Sequence, residues 1–298
     1  MPINEEILAH FAEIKPTEIL EEKILAFDSE SEFVGVCVDL LIEAGSYLIT
    51  AASIYPSGQD GWTRNEAIIG GSLVRLYKLI DAILDQTCKH RLETAFILSR
   101  LHFETTVNSI FLMRNPEQAN FDNFVAYSLQ HEGKLLDTID KNVAERDGNS
   151  LPIEDRMRRS IERTFRMSQL EKKDLPANRM RDWQNSSLYK RAKAIGFGQA
   201  YDAVFGGGSQ IVHGNWGDLY QHHLEPKGDR FVAKTSFKIP RPQFLEVNAI
   251  HSVAAVSEFI CFLGLYQERP VLVDLFNSFI ERVKTLSGFH ENFLVQNS

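Results

Sequence analysis

The chain has 298 residues, 44% apolar and 24% charged, an ordinary globular composition with enough length for a sizeable core. Its formal net charge of -8 opposes unselective binding of nucleic acid. The three cysteines, Cys37, Cys88 and Cys261, are odd in number and lack metal-ligand spacing, which excludes a disulfide framework or a cysteine-based metal module. They read as reduced core thiols of a cytoplasmic protein. Met1 leads into the acidic run NEEILAHFAEI, so no signal peptide is expected. The most apolar stretch, residues 253–266, carries Glu258, and no membrane span is expected.

Taken in order, the chain reads almost entirely as helix. Glu5 to Phe27 gives two short amphipathic pieces separated at Pro16. From Ser31 a helix apolar on nearly every face belongs at the centre of a bundle, and Pro56-Ser57-Gly58 ends it. Asn65 is placed to cap the next helix, where Ile69, Leu73, Leu76 and Leu79/Ile80 recur at helical spacing. A second helix runs to Pro116, and the two are expected to form an antiparallel hairpin. Residues 121–146 read as one helix with Phe124, Tyr127/Ser128, His131 and Leu135 on one stripe.

Residues 156–193 then hold twelve Lys/Arg against four Asp/Glu, a local net of +8, whereas residues 1–50 hold eleven acids against two bases, a net of -9. Phe165, Trp183 and Tyr189 are interleaved with the basic residues. Basic plus aromatic composition suits phosphate contact and base stacking, which makes Arg158, Arg159 and Arg166 candidate RNA-binding residues. The other reading of the same block is a solvated face, or a surface that docks the acidic N-terminal residues of this or another chain. Helix is expected to about Lys173 and again over 186–201, with a loop near Pro176.

Tyr201 to Leu224 concentrates the chemistry. Gly206-Gly207-Gly208 should break the helix, and Ser209 is a good cap for a new one that carries His213 one turn on. His213 is a candidate general acid or base, with Gly214 and Asn215 leaving room for a substrate. His222-His223 is a poor chelating pair, because adjacent helical residues diverge by about 100°. No metal site is expected. Walker, Gly-x-Ser-x-Gly and His-Glu-x-x-His patterns are absent, and no strand precedes the glycines as a dinucleotide loop requires, so no cofactor is expected either. An extended or β-hairpin excursion near 222–239 follows, with a turn at Pro226 to Asp229, and helix resumes over 244–266 and again from Val271 to Leu286.

On the second hairpin helix, Arg100 and Glu104 lie one turn apart between apolar flanks. They are either an ion pair organising the interior or an anion-binding fork in which Glu104 orients Arg100. Two patterns, Arg-x-x-x-Glu at Arg100/Glu104 and Tyr…Ser-x-x-x-His-Gly at Tyr201, Ser209, His213 and Gly214, resemble those of a widespread group of uncharacterised, all-helical microbial proteins. The resemblance spans roughly residues 65–265. More distantly the chain resembles the HEPN superfamily, many members of which are ribonucleases of toxin–antitoxin and antiphage systems. That resemblance implies a metal-independent RNA cleavage in which His213 moves a proton and Arg100 stabilises the phosphorane, with Glu104 beside it and Tyr201, Ser209 and Asn215 lining the substrate. The chain departs from HEPN nucleases in having no arginine shortly before His213.

The expected fold is therefore all-α, a multi-helix bundle in a single domain 1–298, with N-terminal helices (1–60), a core (65–265) and a C-terminal helix (266–298). Two functions stay open: an RNA-directed effector, or a non-catalytic interaction or regulatory protein whose Arg100, Glu104 and His213 form a structural polar network. A protein partner or a second copy of the chain fits either.

Overall fold

The computed structural model describes residues 5–54, 61–176, 178–183, 186–206, 212–264 and 270–297. It is all-helical apart from one small antiparallel hairpin. Two short helices, α1 (Glu5–Glu13) and α2 (Glu21–Ile24), precede the long α3 (Glu30–Ala51). The start of α3 is set by Glu32, whose carboxylate accepts from the backbone N–H groups of Asp28 and Ser29. The loop expected at Pro56 to Gly58 lies outside the described residues.

Helix α4 (Arg64–Cys88) begins one residue before Asn65. Thr63 caps it, its N–H and hydroxyl both reaching Glu66 Oε2 at 2.8 Å. Asn65 instead bridges helices, donating to Gln118 at 2.8 Å. The Thr63-x-x-Glu66 capping box outcompetes it because it satisfies two groups at once. A turn of three residues, with His90 at φ 57°, leads into α5 (Leu92–Arg114).

Helices α3, α4, α5 and α10 (Pro242–Phe262) make a four-membered ring in which each packs on its two neighbours. The ring encloses Leu40, Leu41, Leu48, Leu73, Leu76, Phe103, Val107, Ala249, Val253 and Val256, all essentially sealed from solvent. Helix α11 (Pro270–Gln296) covers α3 and α10 from outside. By length and composition α3 and α10 could each cross a bilayer, yet here they pack on one another as core helices of a bundle do. Of the cysteines only Cys37 is buried; Cys88 and Cys261 are exposed, each on the outward side of its apolar helix, which corrects the expectation of three core thiols.

The helix read over 121–146 is two, α6 (Gln118–Ser128) and α7 (Gln130–Ala144), which meet at Leu129. The buried stripe is Phe121, Val125, Leu129, Leu136 and Ile139, while His131 faces solvent. Val125, Leu129, Leu136 and Ile139, with Ile161 and Phe165 of α8 (Pro152–Ser168), form a second, smaller core, while Phe121 joins the main one. Helix α8 stops at Ser168 because Gln169 adopts a left-handed conformation, φ 58°, earlier than the expected Lys173. Helix α9 (Leu188–Ala194) is likewise short, ended by Gly196 at φ 91°. The hairpin pairs β1 (Leu224–Lys227) with β2 (Arg230–Ala233) around Gly228, inside the span expected for it.

Candidate functional site

The Arg100–Glu104 face of α5 looks onto α9 and onto a wide helical turn over Tyr201–Gly206. Arg100 does not pair with Glu104 among the described residues. Its guanidinium lies 4.1 Å from the centroid of the Phe205 ring, and its Nη1 is buried with no hydrogen-bond partner among the described residues. Phe205 stacks on Tyr201 at 5.0 Å, and Tyr201 meets Tyr189 edge-on at 5.2 Å. Burial raises the Tyr201 phenol above its ordinary pKa and Arg100 draws it back, while Asp202, Glu104 and Asp182 add to the rise.

A second guanidinium joins from α9. Arg191 lies 4.5 Å over the Trp183 ring and donates through Nε to Asn108 at 3.1 Å, one turn beyond Glu104 on α5. It also bonds the Ser186 carbonyl. Burial lowers its pKa, against the opposing pull of Asp182 and Glu104. The cluster therefore gathers two arginines, one glutamate and one tyrosine at the edge of the main core, with Arg191 buried and Arg100, Glu104 and Tyr201 half-buried. Trp183, wedged edge-on between Phe111 and Phe124, anchors it.

The rest of the Tyr…Ser-x-x-x-His-Gly segment behaves differently. Ser209, with Gly207 and Gly208, lies outside the described residues. His213 is exposed, and among the described residues no hydrogen bond or ion pair joins it to Arg100 or Glu104. Asn215 caps a short helical turn, its Oδ1 accepting from the Asp218 N–H at 3.0 Å. The structure thus brings Tyr201 to Arg100 and Glu104 and sets His213 on the surface. A sealed network that includes His213 is not what forms.

In the basic block, Arg158 is paired with Asp140 of α7 at 2.7 Å, and Lys172 with Asp137 of the same helix at 2.5 Å. Phe165 and Trp183 are buried core residues, so these two aromatics are not available to stack bases; Tyr189 is partly exposed. Arg159 and Arg166 remain exposed, together with Arg156 and Arg163. The spacing 156, 159, 163, 166 places all four on one face of α8, and among the described residues none is in an ion pair. The acidic N-terminal residues turn elsewhere: Glu43 and Glu30 meet Arg282 and His290 of α11.

One cluster went unread in the sequence. Glu93 at the start of α5 faces His222 at 3.4 Å and His223 at 3.8 Å, and His223 faces the buried Asp218 at 3.7 Å. Burial pushes the His222 imidazole below its ordinary pKa, with Glu93 opposing. Among the described residues no group of three or more His, Cys, Asp or Glu is placed to hold a metal ion. The sequence showed the His222-His223 pair but nothing that tied it to Glu93 or Asp218.

Fold and site together define an all-helical bundle protein with a half-buried arginine–glutamate–tyrosine cluster on its central hairpin. The chain belongs to DUF5677, a family of unknown function, whose pattern matches residues 66–231. That span runs from α4 through β2, so half of the central ring, α3 and α10, lies outside it. No curated protein and no solved structure matches the chain.

Proposed function

We propose that this chain is an RNA-directed helical protein that grips a phosphate backbone through α8. The observation that carries this is the row of four exposed arginines, Arg156, Arg159, Arg163 and Arg166, on one helix face with no acidic partner among the described residues. The row extends about 15 Å along the helix axis, enough to follow several phosphates of a single strand. An arginine row with no acidic side chain in ion-pair contact among the described residues keeps its self-repulsion and suits a polyanion. A cleavage step, in the narrower form of this proposal, falls to the exposed imidazole of His213, and a role for Arg100 as the stabilising cation requires it to leave the Phe205 ring.

The second reading is a non-catalytic regulatory protein. It is favoured by the engagement of Arg100 with Phe205 and of Arg191 with Trp183 and Asn108, which makes the cluster resemble an internal brace. Anisotropy with a labelled single-stranded RNA, over a salt series, tests the first reading. The variant Arg159→Glu/Arg163→Glu/Arg166→Glu should lose most affinity, and the log–log salt slope should shrink by about 2. Arg158 is left intact because its pair with Asp140 joins α7 to α8. Absence of salt-sensitive binding by the wild type at low ionic strength would end the RNA reading. Cleavage of total RNA by wild type and not by His213→Ala would add the enzymatic step.

A further inference from the structure

Beside the arginine–tyrosine cluster lies a cavity of about 600 Å³, bounded by the start of α5, the turn at Ala203 and Val204, the turn at Asp218 to His222, and the start of α10. Its wall is mainly apolar: Leu92, Phe96, Val204, Ile239, Phe244 and Val247. A cavity of that size and lining holds small organic molecules, with a few polar groups fixing their orientation. Which polar groups remain unsatisfied in the wall therefore decides what it holds.

The donors in the wall are largely committed or solvated. Lys238 Nζ donates to the Gln221 carbonyl at 3.1 Å, and His222 faces Glu93. Lys238 and Arg241 are exposed at the rim, so water screens their charges. Two acceptors are not satisfied. Asp218 Oδ1 and Gln243 Oε1 are both buried, and neither has a hydrogen-bond partner among the described residues. The Asp218 side chain is only 4% exposed, and its other oxygen stands 3.7 Å from His223 Nε2, too far for a hydrogen bond. The Gln243 amide nitrogen donates to Glu291 at 3.2 Å, which fixes the amide with its oxygen as the free group. Buried acceptors without donors are costly and call for a partner that supplies N–H groups.

We propose that this cavity binds an amphipathic primary amine, its ammonium head donating to Asp218 and Gln243 and its hydrocarbon body lying against Leu92, Phe96, Val204, Phe244 and Val247. An ammonium offers three donors and no acceptor, matching two acceptors and no free buried donor among the described residues of the wall. A carboxylate head would meet Asp218 as a like charge, and an alcohol would supply only one donor. The site is independent of the arginine face of α8.

The test compares three ligands with one tail, octylamine, octanol and octanoate, by calorimetric titration of the full chain near pH 7.5. Octylamine should bind at least tenfold more tightly than either of the others. Asp218→Asn should abolish that advantage and leave octanol unchanged. Gln243→Leu should weaken octylamine severalfold, and it carries the test if Asp218→Asn fails to fold. A folded Val247→Phe variant, with the cavity partly filled, should lose both octylamine and octanol. The proposal is overturned if wild type gives no heat with octylamine, or binds octanoate as tightly, or if octylamine affinity survives Asp218→Asn or a folded Val247→Phe.

Discussion

Arg282 holds Glu43 through two parallel hydrogen bonds, Nη2 to Oε1 at 2.6 Å and Nη1 to Oε2 at 2.7 Å, across the interface of α11 with α3. The Glu43 side chain is 2% exposed, and it also accepts from the Thr17 N–H and the Tyr47 hydroxyl. Burial works against the charged carboxylate, but Arg282, Thr17 and Tyr47 together outweigh it and hold the pKa below the ordinary value. Removing one member strands the other. Arg282→Met should cost about 3 kcal/mol, and Arg282→Met with Glu43→Gln should recover much of it, read by urea denaturation. Because the folded carboxyl titrates below its unfolded value of 4.5, this stabilisation is complete above that pH and fades as pH falls through the depressed pKa. Equal loss in the single and double variants would contradict the pairing.

The adjacent glycines of α4 should respond oppositely to alanine. A Cβ on Gly70 would sit 2.5 Å from the Trp62 ring, whose Nε1 is held by the Ile54 carbonyl at 3.1 Å. A Cβ on Gly71 meets nothing within 4 Å. Gly70→Ala should destabilise by about 1–3 kcal/mol through overpacking, whereas Gly71→Ala should stabilise by roughly 1 kcal/mol through helix propensity. Thermal melts of the two variants check this, and a shift of the same sign in both would refute it.

Two histidines at the interface of α5 with α10 should make the protein acid-sensitive. His102 is sealed, its Nε2 2.9 Å from Ser252 Oγ, and burial with the neighbouring His251 pushes its pKa down to about 3. His251, stacked on Phe197 at 4.9 Å, is pushed down by burial to about 4. In the unfolded chain both take up protons near 6.5, so stability is retained above that pH and falls as pH drops from 6.5 toward 4. His102→Gln should flatten that slope, measured as melting temperature against pH. An unchanged slope in a folded variant would remove this account.

A buried acid on α10 should act in the other direction. Burial raises the Glu246 carboxyl to about 7, although hydrogen bonds from Ser287 and Cys37 partly oppose it. Its folded pKa lies above its unfolded value of 4.5, so the stability it contributes is full below 4.5 and lost as pH rises through 7. Glu246→Gln should therefore be more stable than wild type at pH 8, by about 2 kcal/mol, with little difference at pH 4.5. Denaturation midpoints at the two pH values decide it.

Helix identity was legible wherever apolar spacing was regular. Ile69, Leu73, Leu76 and Ile80 carried α4, and the unbroken apolarity of α3 marked it as central. Boundaries were less legible where two local devices competed, as Thr63 with Asn65, or where a residue without a special signal, Gln169, turned left-handed. Of the site, Tyr201, Arg100 and Glu104 were legible as a pattern, and the structure sets them together. Arg191 and Trp183 were hidden inside a run that read as surface, because composition cannot distinguish a solvated arginine from one stacked on a buried ring. The Glu93–His222–His223–Asp218 group joins positions more than 120 residues apart, a separation over which one sequence carries no pairing signal.

The partners that finish the core are remote along the chain. Cys37 contacts Glu246 across 209 positions, and Glu43 meets Arg282 across 239. Loops of that length form slowly, and a ribosome extends the chain from its N-terminus. During synthesis α3 must wait, apolar on nearly every side, until α10 and then α11 have emerged. The nascent chain therefore passes through a period in which its most adhesive helix has α1 and α4 for cover but neither α10 nor α11, and its yield in a cell depends on whatever shields that surface until the C-terminal helices arrive.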